Sequence, residues 1–146
     1  MICLPDVNVL VALAWPRHVH HEAAHAWFAR EGKDGWATCP MTQCGFVRVL
    51  SNKAIVADAV APAGAVAMLA RMTSVPGHTF WLDEVPLCDV QCAPARFLTG
   101  HRQVTDYYLL GLAVHKGGRF VTLDRGVLSL LPQNSGLRES VHLIEV

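Results

Sequence analysis

The chain has 146 residues, of which 52% are hydrophobic and 16% charged, with twelve basic and twelve acidic side chains. That length and apolar fraction fit one domain with a sizeable core and argue against disorder. The charge balance excludes a strongly basic, nonspecific nucleic-acid coat while leaving room for a local groove.

The first apolar stretch, "ICLPDVNVLVALAW", reads as a short strand at 2–4 followed by a helix over 7–14 that stops near Pro16. A second helix is predicted over 20–30, with Ala24, Trp27 and Phe28 on one stripe and Gly32 closing it. "GWATCP" (35–40) reads as a strand ended by Pro40, and Thr42 as the cap of a helix that runs to about Leu50. An Ala-rich helix follows over 61–72, then a strand "HTFWL" (78–82), an irregular Pro-flanked segment and a helical turn at 95–98. Thr105 is expected to cap a helix that reaches His115 and closes at Gly117-Gly118. The strand "RFVTL" (119–123), a helical turn at 126–131 and a terminal strand over 141–146 complete the chain.

Strands alternating with helices predict an α/β fold built on a parallel sheet, with residues 1–146 forming a single domain. Such strands are short and apolar because helices cover both faces. No stretch of about 18 uncharged apolar residues occurs, so no membrane span is expected. The N-terminus lacks a basic segment before its apolar stretch, and no secretory signal is expected. Five cysteines (Cys3, Cys39, Cys44, Cys88 and Cys92) form an odd set, read as reduced thiols in a cytoplasmic protein. So apolar a chain is also expected to bury surface against another subunit.

Asp6 interrupts its apolar stretch, and a charge placed there costs folding energy unless water, a partner or a metal receives it. In an open parallel sheet, functional groups collect beyond the carboxyl ends of the strands. Asp6 follows the first strand, Asp124 follows "RFVTL", and Asp106 lies in the first turn of the helix "VTDYYLLGLAVHKG". Taken alone, Asp106 is explained as well by the helix dipole. Three carboxylates brought together raise each other's pKa, and a divalent cation removes that conflict. Oxygen-only ligands point to Mg²⁺ or Mn²⁺ rather than Zn²⁺.

Four segments in this order, "LPDVNVLVAL", "MTQCGFVRVLSN" (41–52), "HRQVTDYYLLGLAVHKGGRFVTLDRGV" (101–127) and a final strand, resemble the PIN-domain ribonucleases, specifically the VapC-type toxins of bacterial toxin–antitoxin pairs. The likeness spans essentially the whole chain. It implies a PIN-like α/β/α sandwich with a central parallel sheet of four to five strands. It also implies Mg²⁺- or Mn²⁺-dependent hydrolysis of RNA, leaving 5′-phosphate and 3′-hydroxyl ends. By position, Asp6, Asp106 and Asp124 resemble the family's first, third and fourth acids. Asn8 and Thr122 resemble the accompanying polar residues, and Arg48 the basic residue near the site. Arg48 and Arg125 are then the candidates for the substrate phosphate. The family's usual Glu on the helix after the second strand is missing, since no acid lies between Asp34 and Asp58. Gln43 or Gly45 falls at that position, with Thr42 or Gln43 as a neutral oxygen donor in its place. The resemblance further implies an RNA substrate, a cognate VapB-type antitoxin that covers the acids, and a homodimer. The helices at 7–14 and 42–50 are the candidate subunit contacts.

Other features read more plainly. His21 and His25, one helical turn apart with His18 and His20 nearby, have zinc-pair spacing, but a solvated helix face explains them better. Cys88 and Cys92 are expected to be free thiols. The four tryptophans are read as core or interface, and of Tyr107 and Tyr108 at most one can line a groove. Three rival classes stand beside this one, of which a receiver domain wants paired acids after the first strand. A phosphoaspartyl phosphatase wants a second Asp where Asn8 stands. A catalytically weak or inactive PIN-like module that binds RNA or protein is the alternative raised by the missing Glu.

Overall fold

The computed structural model describes residues 1–91 and 94–146. Five parallel strands, β1 (Cys3–Pro5), β2 (Trp36–Thr38), β3 (His78–Phe80), β4 (Arg119–Thr122) and β5 (Val141–Leu143), lie in the order β3-β2-β1-β4-β5. The chain steps outward from β1 to β3, returns to lay β4 against the other side of β1, and ends on β5. The β1/β4 boundary is therefore the switch point where loops diverge and leave a crevice at the strand carboxyl ends.

Among the described residues, five α-helices connect the strands: α1 (Val7–Ala14), α2 (His21–Arg30), α3 (Pro40–Leu50), α4 (Pro62–Thr73) and α5 (Val104–His115). Strand alternation sends neighbouring side chains to opposite faces. Leu4, Ala37 and Phe120 enter one core with Leu109, Leu112 and Ala113 of α5. Cys3 and Val121 enter another with Val9 of α1 and Trp27 of α2. Trp36 joins α1, α3 and α4 through Leu10, Phe46, Leu50 and Leu69. Helices thus cover both faces, the predicted α/β/α layering. Gly117, at φ +67, supplies the left-handed residue that closes α5.

Two helix starts differ from the sequence reading. Thr42 does not cap α3: the helix begins at Pro40, which tolerates the first position because its missing N–H has no helical partner there. Thr42 sits a turn inside and accepts the Cys39 N–H at 3.0 Å. Nor does Thr105 cap α5, which starts at Val104 after a 3-10 turn at His101–Gln103. Tyr107 and Tyr108 are both buried in the α5 core, so neither lines a groove. Trp27, Trp36 and Trp81 are core residues as expected. Cys3, Cys39, Cys44 and Cys88 are free thiols, and Cys92 lies outside the described residues.

Candidate active site

Asp6 leaves β1 with extended backbone and caps α1, its Oδ1 accepting the Val9 N–H at 2.9 Å. Its Oδ2 accepts the Thr122 hydroxyl at 2.5 Å. That hydroxyl in turn accepts the Asp124 N–H at 3.0 Å. Thr122, at the end of β4, therefore ties the first acid to the backbone of the last across the switch point. Asp6 is buried, at 4% exposure, so it resolves the charge placed in the apolar stretch with hydrogen bonds rather than water.

α5 runs back against the sheet, so its N-terminus and Asp106 arrive at the same strand ends. A pocket of about 210 Å³ is lined by Asp6, Asn8, Gly45, Arg48, Thr105 and Asp106, with Val7, Val49 and Leu109 as apolar wall. Burial pushes the Asp6 carboxyl up to about 6, with the Asp124 charge adding to the rise and the Thr122 and Val9 hydrogen bonds opposing it. Burial likewise pushes Asp106 up to about 7, reinforced by the charges of Asp6 and Asp124. Asp106 thus feels the charges of both other acids, and Asp6 that of Asp124, as the like-charge argument requires. Among the described residues, no group of three or more His, Cys, Asp or Glu side chains is already gathered as a metal-ligand set.

The remaining candidates separate. Asn8 and Arg48 share the pocket with Asp6 and Asp106. Asp124 is exposed, its Oδ1 accepting the Gly126 N–H at 2.8 Å, and lines an adjoining cleft that also includes Asn8. Arg125 is exposed beside it and lines neither space. Thr42 is buried, and its hydroxyl donates to the Cys39 carbonyl at 3.1 Å. Gln43 donates through Nε2 to Thr38 Oγ1 at 3.0 Å, and that oxygen also bonds His78 Nε2 at 2.8 Å. Neither Thr42 nor Gln43 lines the acid pocket. Of the two residues weighed for the missing Glu, it is Gly45 that faces the pocket, and a Cβ there would stand 2.5 Å from Val7 Cγ2.

Sequence reasoning missed Thr105 as a lining residue and left His18 and His20 aside. His21 and His25 are not merely solvated. His21 Nδ1 donates to the Ala12 carbonyl at 2.7 Å and His25 Nε2 to the Leu13 carbonyl at 2.9 Å. These are last-turn carbonyls of α1 with no helical partner, so the spacing serves a helix end.

No protein-family model matches the chain. Curated relatives do. Ribonuclease VapC39 of Mycobacterium tuberculosis (strain H37Rv) is 50% identical over 124 residues, covering 85% of this chain and 89% of the relative. Ribonuclease VapC38 of the same strain is 45% identical over 132 residues, covering 90% and 92%. Ribonuclease VapC44 is 44% identical over 127 residues, covering 87% and 89%.

Proposed function

The chain belongs to the VapC ribonuclease family, and from that premise we propose that it is an endoribonuclease toxin that hydrolyses RNA phosphodiester bonds and so blocks translation. The observation that carries this reading is the pairing of Asp6 and Asp106 in one pocket, each held far above the ordinary carboxylate range. Two such acids are a poor arrangement for stability and a good one for a hard cation. Asp6 and Asp106 would hold Mg²⁺ or Mn²⁺ from inside the pocket, with Asp124 contributing from its edge. Once bound, the ion supplies a lowered pKa for a water nucleophile and neutralises the leaving oxygen.

The chain's own residues do the rest. Thr122 fixes the Asp6 carboxylate and the Asp124 backbone in one register. Arg48, exposed on the pocket rim, offers a guanidinium to a phosphate, and no ion pair to it is found among the described residues. Asn8 presents an amide where the acid pocket meets the adjoining cleft.

For partners, the reading assigns an RNA substrate, a VapB-type antitoxin that occupies the acid pocket, and a homodimer. α1 buries Val9, Leu10, Val11 and Ala12 inside the subunit. The open apolar groove of about 500 Å³ between α3 and α4, which includes Val47, Val66 and Leu69, is therefore the better subunit contact. No helix among the described residues is long and apolar enough to cross a membrane, and we place the protein in the cytoplasm with its RNA. The test is end-mapping of RNA after incubation with the purified chain in Mg²⁺, Mn²⁺ or EDTA. Metal-dependent cuts with 5′-phosphate ends support the reading. Binding of RNA without cleavage in either metal would favour the inactive module that the missing Glu raised.

A further inference from the structure

Beside the acid pocket lies a second space, of which the proposed chemistry uses only the Asn8 and Asp124 side. It is a cleft of about 460 Å³ lined by Asn8, His18, Val19, His20, Leu123 and Asp124. Asn8 belongs to both spaces, so the two adjoin at that residue. The volume falls within the roughly 300–1,000 Å³ of small-molecule sites.

The loop that forms the cleft wall is built to hold its shape. Trp15 Nε1 donates to Asp58 Oδ2 at 2.8 Å and Arg17 donates to Asp58 Oδ1 at 3.1 Å, so one distant carboxylate anchors both ends of "WPR". The His18 N–H donates to the Trp15 carbonyl at 3.0 Å, and the His20 N–H donates to His18 Nδ1 at 3.0 Å. The ring of His18 meets Trp15 edge-on at 5.8 Å and His20 at a tilt at 5.7 Å. Val19 projects from the tip, 85% exposed.

The lining says what fits. It contains no Lys or Arg, and its one carboxylate, Asp124, is the acid already assigned to the metal. It offers two imidazole rings, two aliphatic side chains and an amide that both donates and accepts. That is the chemistry of a planar heterocycle with apolar faces and a hydrogen-bonding edge, the way single-stranded RNA is read. Resting on the ribonuclease reading, we propose that this cleft is a nucleobase subsite, with His18, Val19 and His20 setting which base flanks the scissile phosphate.

The test has two arms. In the first, wild type, His20→Ala and Val19→Ser are given a randomised single-stranded RNA pool with Mn²⁺ and the cut positions are sequenced. His20 makes no side-chain capping bond to α2, so its truncation leaves that helix end intact. The expected result is a base preference at one position flanking the cut, flattened about tenfold in both variants through KM, with kcat on the best wild-type substrate and the Mn²⁺ midpoint unchanged. An identical preference in all three proteins overturns the subsite while leaving the ribonuclease reading intact. If wild type cuts nothing, that reading fails, and the second arm decides the subsite alone. There the four nucleosides, which carry no phosphate, are titrated while the histidine ring protons are followed by NMR. Saturable shifts of His18 and His20, absent from His101 and His115, support a base site. Shifts spread evenly over all four rings overturn it, as does the absence of any shift at nucleoside saturation.

Discussion

The Thr122 hydroxyl donates to Asp6 Oδ2 at 2.5 Å and simultaneously accepts the Asp124 N–H at 3.0 Å, joining the carboxyl ends of β1 and β4 through one oxygen. Thr122→Val keeps the shape and removes both bonds. Asp6 Oδ2 then loses its donor and the Asp124 amide its acceptor, so stability falls by about 1–3 kcal/mol. Because that hydroxyl holds the Asp6 pKa down, its loss raises it further, and the acid limb of the pH–rate profile moves to higher pH. An unmoved limb would show that the Thr122 bond does not tune this acid.

Asp106 gives the metal-free protein a pH dependence of defined sign. Its folded pKa of about 7 lies above the ordinary 3.8, so the folded state binds more protons between those values and stability falls as pH rises through them. The loss is complete above pH 7 and is on the order of a few kcal/mol. In EDTA, the melting temperature of Asp106→Asn should therefore gain on wild type between pH 4.5 and 8. Mn²⁺ should close the gap by stabilising wild type at pH 8. A constant difference across that range would place Asp106 in an ordinary solvated setting.

Gly45 is fixed by contact rather than by backbone freedom. A Cβ there meets Val7 Cγ2 at 2.5 Å, so the small residue lets α3 approach the start of α1. Gly45→Ala should cost about 1–3 kcal/mol in urea unfolding despite its better helix propensity, and Val7→Ala in the same chain should recover most of it. Restoring an acid at this position needs the same relief before its effect on metal affinity can be read. A stable Gly45→Ala single variant would remove the steric account.

His21→Ala and His25→Ala each remove a donor from the end of α1. Each should lower stability by about 1 kcal/mol, and neither should alter the response of the melting temperature to added Zn²⁺. A chelator that lowers the wild-type melting temperature, but not that of these variants, would revive the zinc pair.

What the sequence disclosed and what it hid divide along physical lines. Asp6, Asp106 and Asp124 were placed at one end of the sheet because a short apolar strand, or a helix returning against it, has a defined end. The sheet itself followed from the alternation of such elements. Thr42 and Gln43 looked available because a polar residue near a site carries no mark of its prior commitments. Only the fold shows that Cys39 and Thr38 take their hydrogen bonds. The bonds of His21 and His25 to α1 carbonyls span nine and twelve residues around a loop and leave no local pattern. The Gly45–Val7 contact joins two helices and is equally silent.

The most direct measurement is the rate of RNA cleavage by wild type and Asp106→Asn, in Mn²⁺ and in EDTA, on one preparation whose folding is checked by circular dichroism. Removing one charge from the pocket leaves the shape intact and relieves the repulsion on Asp6. Wild type should cut in Mn²⁺ and fall silent in EDTA. Asp106→Asn should melt at or above the metal-free wild type and cut at least about 100-fold more slowly, a loss of roughly 3 kcal/mol in transition-state stabilisation. Cleavage by Asp106→Asn at the wild-type rate, or equal cleavage by wild type in EDTA, would contradict the assignment of the acid pocket as the catalytic centre.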